Sequence, residues 1–390
     1  MVAPQIVTPH PAVTAKRQHV AIKVLRRRYA TAGLEEIAFH RRLDRKGPGA
    51  RYIVRLRDAL FHDGHMCEVY ELHGVVTNAL LKRQPFAIAE VKLIARQLLQ
   101  ALSFLHCRDL IHTDINPRNL LWCNLKQEIR LIDFNAANSR ICTGQAIATW
   151  PYCPPEMLIG TPMNWAVDMW SLACTLFELL TGELLFDPWG ICQEKYIEFS
   201  SSENDHGDTS PDEDWLAEES EQLRSDTVLG GRYRLLRPLG RGRVGTTWEA
   251  EMLHRCRFKS PLPSEAEARR ITRTHRKPRP PKKGYDIYKV VLTYEHFVVI
   301  QQRLGTFPEH LAVQGEYRNI LYGPDGLLRF HPELSGQSIR DLLLAKNFDA
   351  NTAAGIESFL LPMLRLDPAE RATAADMLQS EWLKDVCTRS

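Results

Sequence analysis

Between residues 88 and 107 the apolar side chains Val91, Ile94, Ala95, Leu98, Leu99, Leu102 and Leu105 recur every three or four positions, which places them on one face of an α-helix. Such a stripe is core and carries no chemistry. The same period predicts helices over 33–43, 164–181, 295–304, 338–344 and 353–364. Apolar and polar residues alternate instead over 19–25, 54–61 and 65–70, the period of a strand. A further alternating stretch, 231–250, turns through Gly240, Gly242 and Gly245 and resumes as a second strand. Strands gathered early, followed by a mainly helical remainder, predict an α+β fold.

The 390 residues, 44% of them hydrophobic, suffice to bury a two-lobed core, and no run of 18 apolar residues suggests a membrane span. The opening eleven residues lack the charged-then-apolar layout of a signal peptide. Nine cysteines show no C-x-x-C pairing and are expected to be reduced, structural and intracellular. The net charge of +3 says little about partners. Local charge says more: 198–226 holds eleven carboxylates against the single cation Arg224, which predicts a solvated or disordered stretch. Residues 269–283 then carry eight cations broken by prolines. That run reads either as a nuclear-import or nucleic-acid segment or as a solvated linker. The linker is favoured, because no aromatic side chains interleave the charges for base stacking.

Candidate chemistry concentrates in Leu110-Ile-His-Thr-Asp-Ile-Asn-Pro-Arg-Asn119, followed by Asp133-Phe-Asn135. Phosphoryl transfer needs positioning and neutralisation of charge spread over phosphate oxygens and magnesium. Asp114 is suited to accept the proton of an attacking hydroxyl, and Asn119 and Asp133 offer the oxygen ligands that hard Mg²⁺ prefers. Upstream, Val20-Ala-Ile-Lys23 matches a strand carrying a phosphate-binding lysine, with Glu36, or the adjacent Glu35, as its partner on the next helix. In this order the set resembles the protein kinases. Ile111-His-Thr-Asp114, Leu304-Gly-Thr-Phe-Pro308, Phe359-Leu-Leu-Pro-Met-Leu364 and Arg371-Ala-Thr-Ala-Ala375 narrow the resemblance to the SR-protein kinase family of the CMGC group, over about residues 18–188 and 294–385.

That resemblance implies ATP and Mg²⁺ as cofactors and a protein substrate phosphorylated on serine or threonine, in this family within Arg/Ser-rich splicing factors. It implies that Lys23 holds the α- and β-phosphates and that Glu71 and His73 present hinge backbone to adenine. It also implies that the hairpin of Leu239, Gly240, Gly242, Gly245 and Thr247 covers the phosphates. Glu156 and Arg371 are expected as a buried structural ion pair, and Asp168 opens the central helix of the large lobe. Thr113, where most kinases carry arginine, implies activity that does not wait for activation-loop phosphorylation. The resemblance implies a two-lobed fold, a small antiparallel-sheet lobe with one helix at 1–74 ending in a hinge at 71–74, and a larger mainly helical lobe whose first part is 75–189 and whose closing helices are 294–390, with a charged insert at 190–293 that includes the hairpin 228–250. A monomer in the cytoplasm, the nucleus or both is expected, with neither membrane nor direct nucleic-acid contact.

Several departures qualify this picture. The glycine hairpin normally precedes the lysine strand, yet here it follows some two hundred residues later. It either folds back to supply strands out of order, remains from a second copy, or reflects a misassembled coding sequence. Reach permits the first: about forty residues lie between 187 and 228, each spanning roughly 3.3 Å when extended. We expect the hairpin to pack beside Lys23. Asn116 replaces the lysine of H-x-D-x-K, Asn135 the glycine of D-F-G, and Cys153 an arginine. These substitutions leave a second reading open, a pseudokinase serving as a nucleotide-binding or scaffolding module.

Overall fold

A computed structural model describes residues 18–134, 149–187, 223–242, 244–253, 262–274, 283–312, 322 and 336–384. Asn135 lies outside them, as does most of the acidic stretch. The described residues fall into two compact units, one drawing on 18–37, 55–72 and 223–274, the other on 38–54, 73–187 and the segments from 283 onward. In chain order the strands are β1 (Gln18–Leu25), β2 (Leu56–His62), β3 (His65–Glu71), β4 (Val75–Val76), β5 (Leu120–Cys123), β6 (Glu128–Leu131), β7 (Val228–Leu229), β8 (Tyr233–Arg241) and β9 (Gly245–Met252). The first helices are α1 (Ala30–Arg42), α2 (Thr77–Leu81), α3 (Ile88–His106), α4 (Pro155–Ile159) and α5 (Ala166–Thr181).

The first unit is built on one antiparallel sheet in the order β2-β3-β1-β9-β8-β7. The late hairpin β8–β9 is therefore not a separate insert: β9 pairs with β1 along its whole length, with Lys23 opposite Thr247 and Leu25 opposite Gly245. Alternation explains the fit. Val20, Ile22 and Val24 of β1 face Leu235, Trp248 and Ala250 of the hairpin and Cys67 and Val69 of β3 in one apolar cluster, so hairpin and lysine strand share a core that neither could bury alone. The sheet curls until its opposite edges meet, where Asp58 of β2 accepts from Arg232 Nη1 at 2.6 Å and from Tyr233 Oη at 2.9 Å.

The hairpin thus packs beside Lys23 as expected; a departure from expectation concerns the basic run. Its first part forms a helix, Glu265–Thr274, whose Ala268 is fully buried and whose Thr272 bonds the backbone and hydroxyl of Thr31 at 3.2 and 3.0 Å. Ala268, Ile271 and Thr272 stand at helical spacing, so a small apolar face docks while Arg269, Arg270 and Arg273 stay on other faces. Helix bounds shift elsewhere for local reasons. α1 begins at Ala30 rather than at Gly33, because Gly33 is a packing position inside the helix: a Cβ there would lie 2.9 Å from Met66 Cγ and 3.1 Å from Leu25 Cδ2. The helix expected over 353–364 runs Ala350–Leu360 and continues as a 3₁₀ turn through Pro362, since proline removes a helical donor.

In the second unit, α3 and the fully buried α5 carry the core, and β4, β5 and β6 form a small sheet. The later helices Lys283–Leu304, Ile339–Ala345 and Ala350–Leu360 complete it. Ser338 and Asp349 cap two of these, Asp349 accepting from the N–H groups of Asn351 and Thr352 at 3.0 Å, which satisfies donors that a helix start leaves open. Among the described residues no helix is long and apolar enough to cross a membrane, and the cysteines described (Cys67, Cys107, Cys123, Cys153 and Cys174) are all free thiols.

Candidate active site

In the first unit, β1 presents Lys23 to α1. Its Nζ donates to Glu36 Oε2 at 2.9 Å. Glu36 is 1% exposed, whereas Glu35 faces solvent, which decides between the two adjacent acids. Glu68, a residue that motif reading passed over, stands opposite Lys23 in the β1–β3 ladder with its Oε2 3.9 Å from Nζ.

The three hairpin glycines divide into two kinds. A Cβ on Gly240 would meet nothing within 4 Å and one on Gly242 only the Gly245 carbonyl at 4.0 Å, so their backbone borders open space. A Cβ on Gly245 would lie 2.1 Å from the Val24 carbonyl oxygen, so this glycine is required by strand pairing. The tip is tied to the residue that follows the lysine strand: Arg26 N–H donates to Val244 O at 2.9 Å and Arg26 Nη2 to Gly242 O at 3.3 Å. Leu239 is 40% exposed, and Thr247 sits in β9 directly opposite Lys23. Glu71 ends β3, its N–H donating to Arg55 O at 3.4 Å.

The second unit holds the other candidates. Asp114 is gripped by four donors: Asn116 Nδ2 at 3.0 Å, the N–H and Oγ1 of Thr149 at 3.1 and 2.8 Å on Oδ1, and Asn119 Nδ2 at 2.8 Å on Oδ2. Asn116 does more than occupy a lysine's place, because its Oδ1 also accepts from Arg118 N–H at 2.9 Å and caps the short turn Pro117–Asn119. Asn119 donates its amide nitrogen to Asp114, so its oxygen is the atom that can face a cation. The N–H of Ile132 bonds Asn119 O at 3.0 Å, which brings the segment carrying Asp133 alongside Asn119. Both offer oxygen donors, the chemistry that fits a hard divalent cation. Among the described residues no three His, Cys, Asp or Glu side chains gather as a metal cage.

Backbone strain marks the same loops. Thr113 lies at φ +70° and Asp133 at φ +65°, a region that costs about 1–2 kcal/mol for a residue with a side chain. Asp168 of α5 holds the first in place, its carboxylate accepting from the N–H groups of His112 and Thr113 at 2.9 and 2.8 Å and bonding His106 Nε2 at 2.9 Å. Phe134 is packed between the rings of Phe39, His40 and His112, with centroids 4.7, 5.3 and 4.8 Å away. His73, expected in the hinge, has its Nε2 bonded to Glu128 O at 3.3 Å.

Glu156 and Arg371 meet in a bidentate pair, Nη1 to Oε1 at 2.5 Å and Nη2 to Oε2 at 2.7 Å. Both are at most 3% exposed, and the guanidinium also donates to the carbonyls of Ala166 and Arg365 at 3.1 and 2.7 Å and lies over the Trp170 ring. Cys153 is buried, which pushes its thiol up.

The protein kinase domain family matches residues 11–225, more than half of the chain. Similar proteins include the dual specificity protein kinase lkh1 of Schizosaccharomyces pombe, 31% identical over 43% of this chain and 28% of its own length. The serine/threonine-protein kinase AFC3 of Arabidopsis thaliana is 30% identical over 44% of this chain and 50% of its own, and a putative dual specificity tyrosine-phosphorylation-regulated kinase 3 homolog of Drosophila melanogaster is 35% identical over 43% and 21%. The chain spans half or less of the length of these curated relatives. These are CMGC-type kinases, and the chain belongs to the protein kinase domain family.

Proposed function

We propose that this chain is an ATP- and Mg²⁺-dependent serine/threonine protein kinase of SR-protein kinase type, acting on serines in Arg/Ser-rich segments. The observation that carries the reading is the carboxylate of Asp114, fixed by four donors beside the two oxygen-bearing residues Asn119 and Asp133. In this reading Asp114 takes the proton of the substrate hydroxyl as its oxygen bonds the γ-phosphorus, and the bond from that phosphorus to the bridging oxygen breaks, leaving its electrons on ADP. Asn119 and Asp133 hold the cation, which neutralises phosphate charge when bound. Lys23, set by Glu36, positions the α- and β-phosphates, and the open backbone at Gly240 and Gly242 covers them without side-chain obstruction. Glu71 and His73 present hinge backbone to adenine. Asp168 and the pair of Glu156 and Arg371 support the loops and touch no reactant.

Asn116 supports a second reading. Its neutral amide stands where H-x-D-x-K kinases place a cation, and losing one preorganised charge-stabilising group costs on the order of 10² to 10³ in rate. The chain would then serve as a nucleotide-binding or scaffolding module. Transfer of labelled γ-phosphate to an Arg/Ser-rich peptide separates the two. The kinase reading requires incorporation by wild type that Asp133→Ala abolishes. Equal inactivity of both, with nucleotide still bound, establishes the scaffold instead.

A further inference from the structure

Lys23 has two carboxylates beside it. Glu36 reaches it from α1 at 2.9 Å and Glu68 from β3 at 3.9 Å, and both acids are essentially fully buried, at 1% and 0% exposure. Glu68 is firmly seated. It stands opposite Lys23 in the strand ladder, and its Oε2 accepts from Tyr70 Oη at 3.1 Å. On the helix side the bare Gly33 leaves it room, because a Cβ there would come within 3.4 Å of Glu68 Oε1. The transfer chemistry proposed above gives this second acid no task.

We propose that Glu68 is a positioning residue that acts through Lys23 as a built-in competitor for phosphate, lowering the affinity of the site for triphosphate relative to nucleoside. The inference rests on the reading of Lys23 as the phosphate-binding lysine. One ammonium between two buried carboxylates divides its attraction, and a phosphate oxygen approaching Lys23 meets both. Glu68 adds a second carboxylate beside the ammonium, and that charge opposes an approaching anion but is indifferent to an uncharged ligand. The signature is therefore a difference between ligands that share a base and differ in phosphate.

The test measures dissociation constants of the whole chain for Mg·ATP and for adenosine by calorimetry, in wild type and Glu68→Gln. Glutamine keeps the acceptor for Tyr70 and removes the charge. Expected is Mg·ATP binding tighter by roughly fivefold or more with adenosine unchanged, and a difference that shrinks as salt rises. Mg·ATP affinity that is unchanged or weaker, or a shift shared equally by adenosine, overturns the proposal. Glu68→Met, uncharged and of similar length, is the second variant, and loss of folding in both would make Glu68 a structural residue and overturn it as well. Wild-type protein that binds neither ligand refutes the phosphate-binding role of Lys23 itself, a failure recognisable before any variant is made.

Discussion

Asn116 donates its side-chain amide to Oδ1 of Asp114 at 3.0 Å while its own Oδ1 caps the turn that follows. The contact keeps the Asp114 carboxylate oriented but brings no positive charge. Restoring it with Asn116→Lys should raise kcat on an Arg/Ser-rich peptide by roughly 10- to 100-fold and lower stability by about 1 kcal/mol through the lost cap. Steady-state kinetics and denaturant unfolding read the two effects separately. A lower kcat in the lysine variant would assign Asn116 the orienting role alone.

The hairpin glycines should respond unequally. Gly245→Ala forces a Cβ to within 2.1 Å of the Val24 carbonyl, and overpacking of this kind costs typically about 1–3 kcal/mol. Gly240→Ala meets open space and should leave the melting temperature nearly unchanged while weakening Mg·ATP binding. Thermal melts and nucleotide titration of the two variants check both halves of the expectation.

Closure of the sheet depends on Asp58. It accepts from Arg232 and Tyr233 across the curled edges, and hydrogen bonds to a charged group are worth about 1.5–3 kcal/mol each. Asp58→Ala should destabilise the chain by about 3 kcal/mol, and Asp58→Asn, which keeps an acceptor, by less. Protease cleavage within 223–252 should rise in step with the loss.

Acid should weaken the chain through His296. Burial holds this imidazole down to about 4, opposed by its hydrogen bond to the Cys153 carbonyl. A histidine with a folded value below its unfolded one favours the neutral native state, so the unfolded chain takes up the proton first. Stability attributable to His296 is full above pH 6.5 and falls between about 6.5 and 4, by roughly 3 kcal/mol in all. Urea midpoints across that window should lose part of their slope in His296→Asn.

The pair of Glu156 and Arg371 should behave as a unit. Glu156→Gln strands a buried guanidinium and costs roughly 3 to 5 kcal/mol, and Arg371→Met costs a similar amount. The double variant should recover part of the loss. A double-mutant cycle on unfolding free energies measures that coupling, and full additivity would contradict the bidentate geometry.

Much of this molecule was legible where its contacts are local. Asp114, Asn116 and Asn119 lie within one short stretch, and the hydrogen bonds among them close inside it, so the motif already contains that part of the geometry, whereas the two donors from Thr149 were not legible. Lys23 and Glu36 were legible as types, but the choice between Glu35 and Glu36 needed the phase of α1 against the sheet. Glu68 and the clasp of Asp58 on Arg232 and Tyr233 were not legible. Each depends on strand register and curl between segments far apart in the chain, and one-residue slips in register move a side chain to the other face. The docked helix Glu265–Thr274 was hidden because its dominant compositional signal is charge, while the apolar face that anchors it consists of only a few small residues.

The seating of β9 beside β1 sets the order in which the small sheet is completed during synthesis. β3, the other neighbour of β1, is made within about fifty residues of it, but β9 appears only with Gly245–Met252. Until then β1 presents an open edge, with backbone donors and acceptors and half of the core face that holds Ile22 and Val24 uncovered. A nascent chain of this topology must keep that edge from pairing elsewhere while the catalytic loop and α5 are already made, and the loop-closure cost of the final pairing falls on the last strand to arrive.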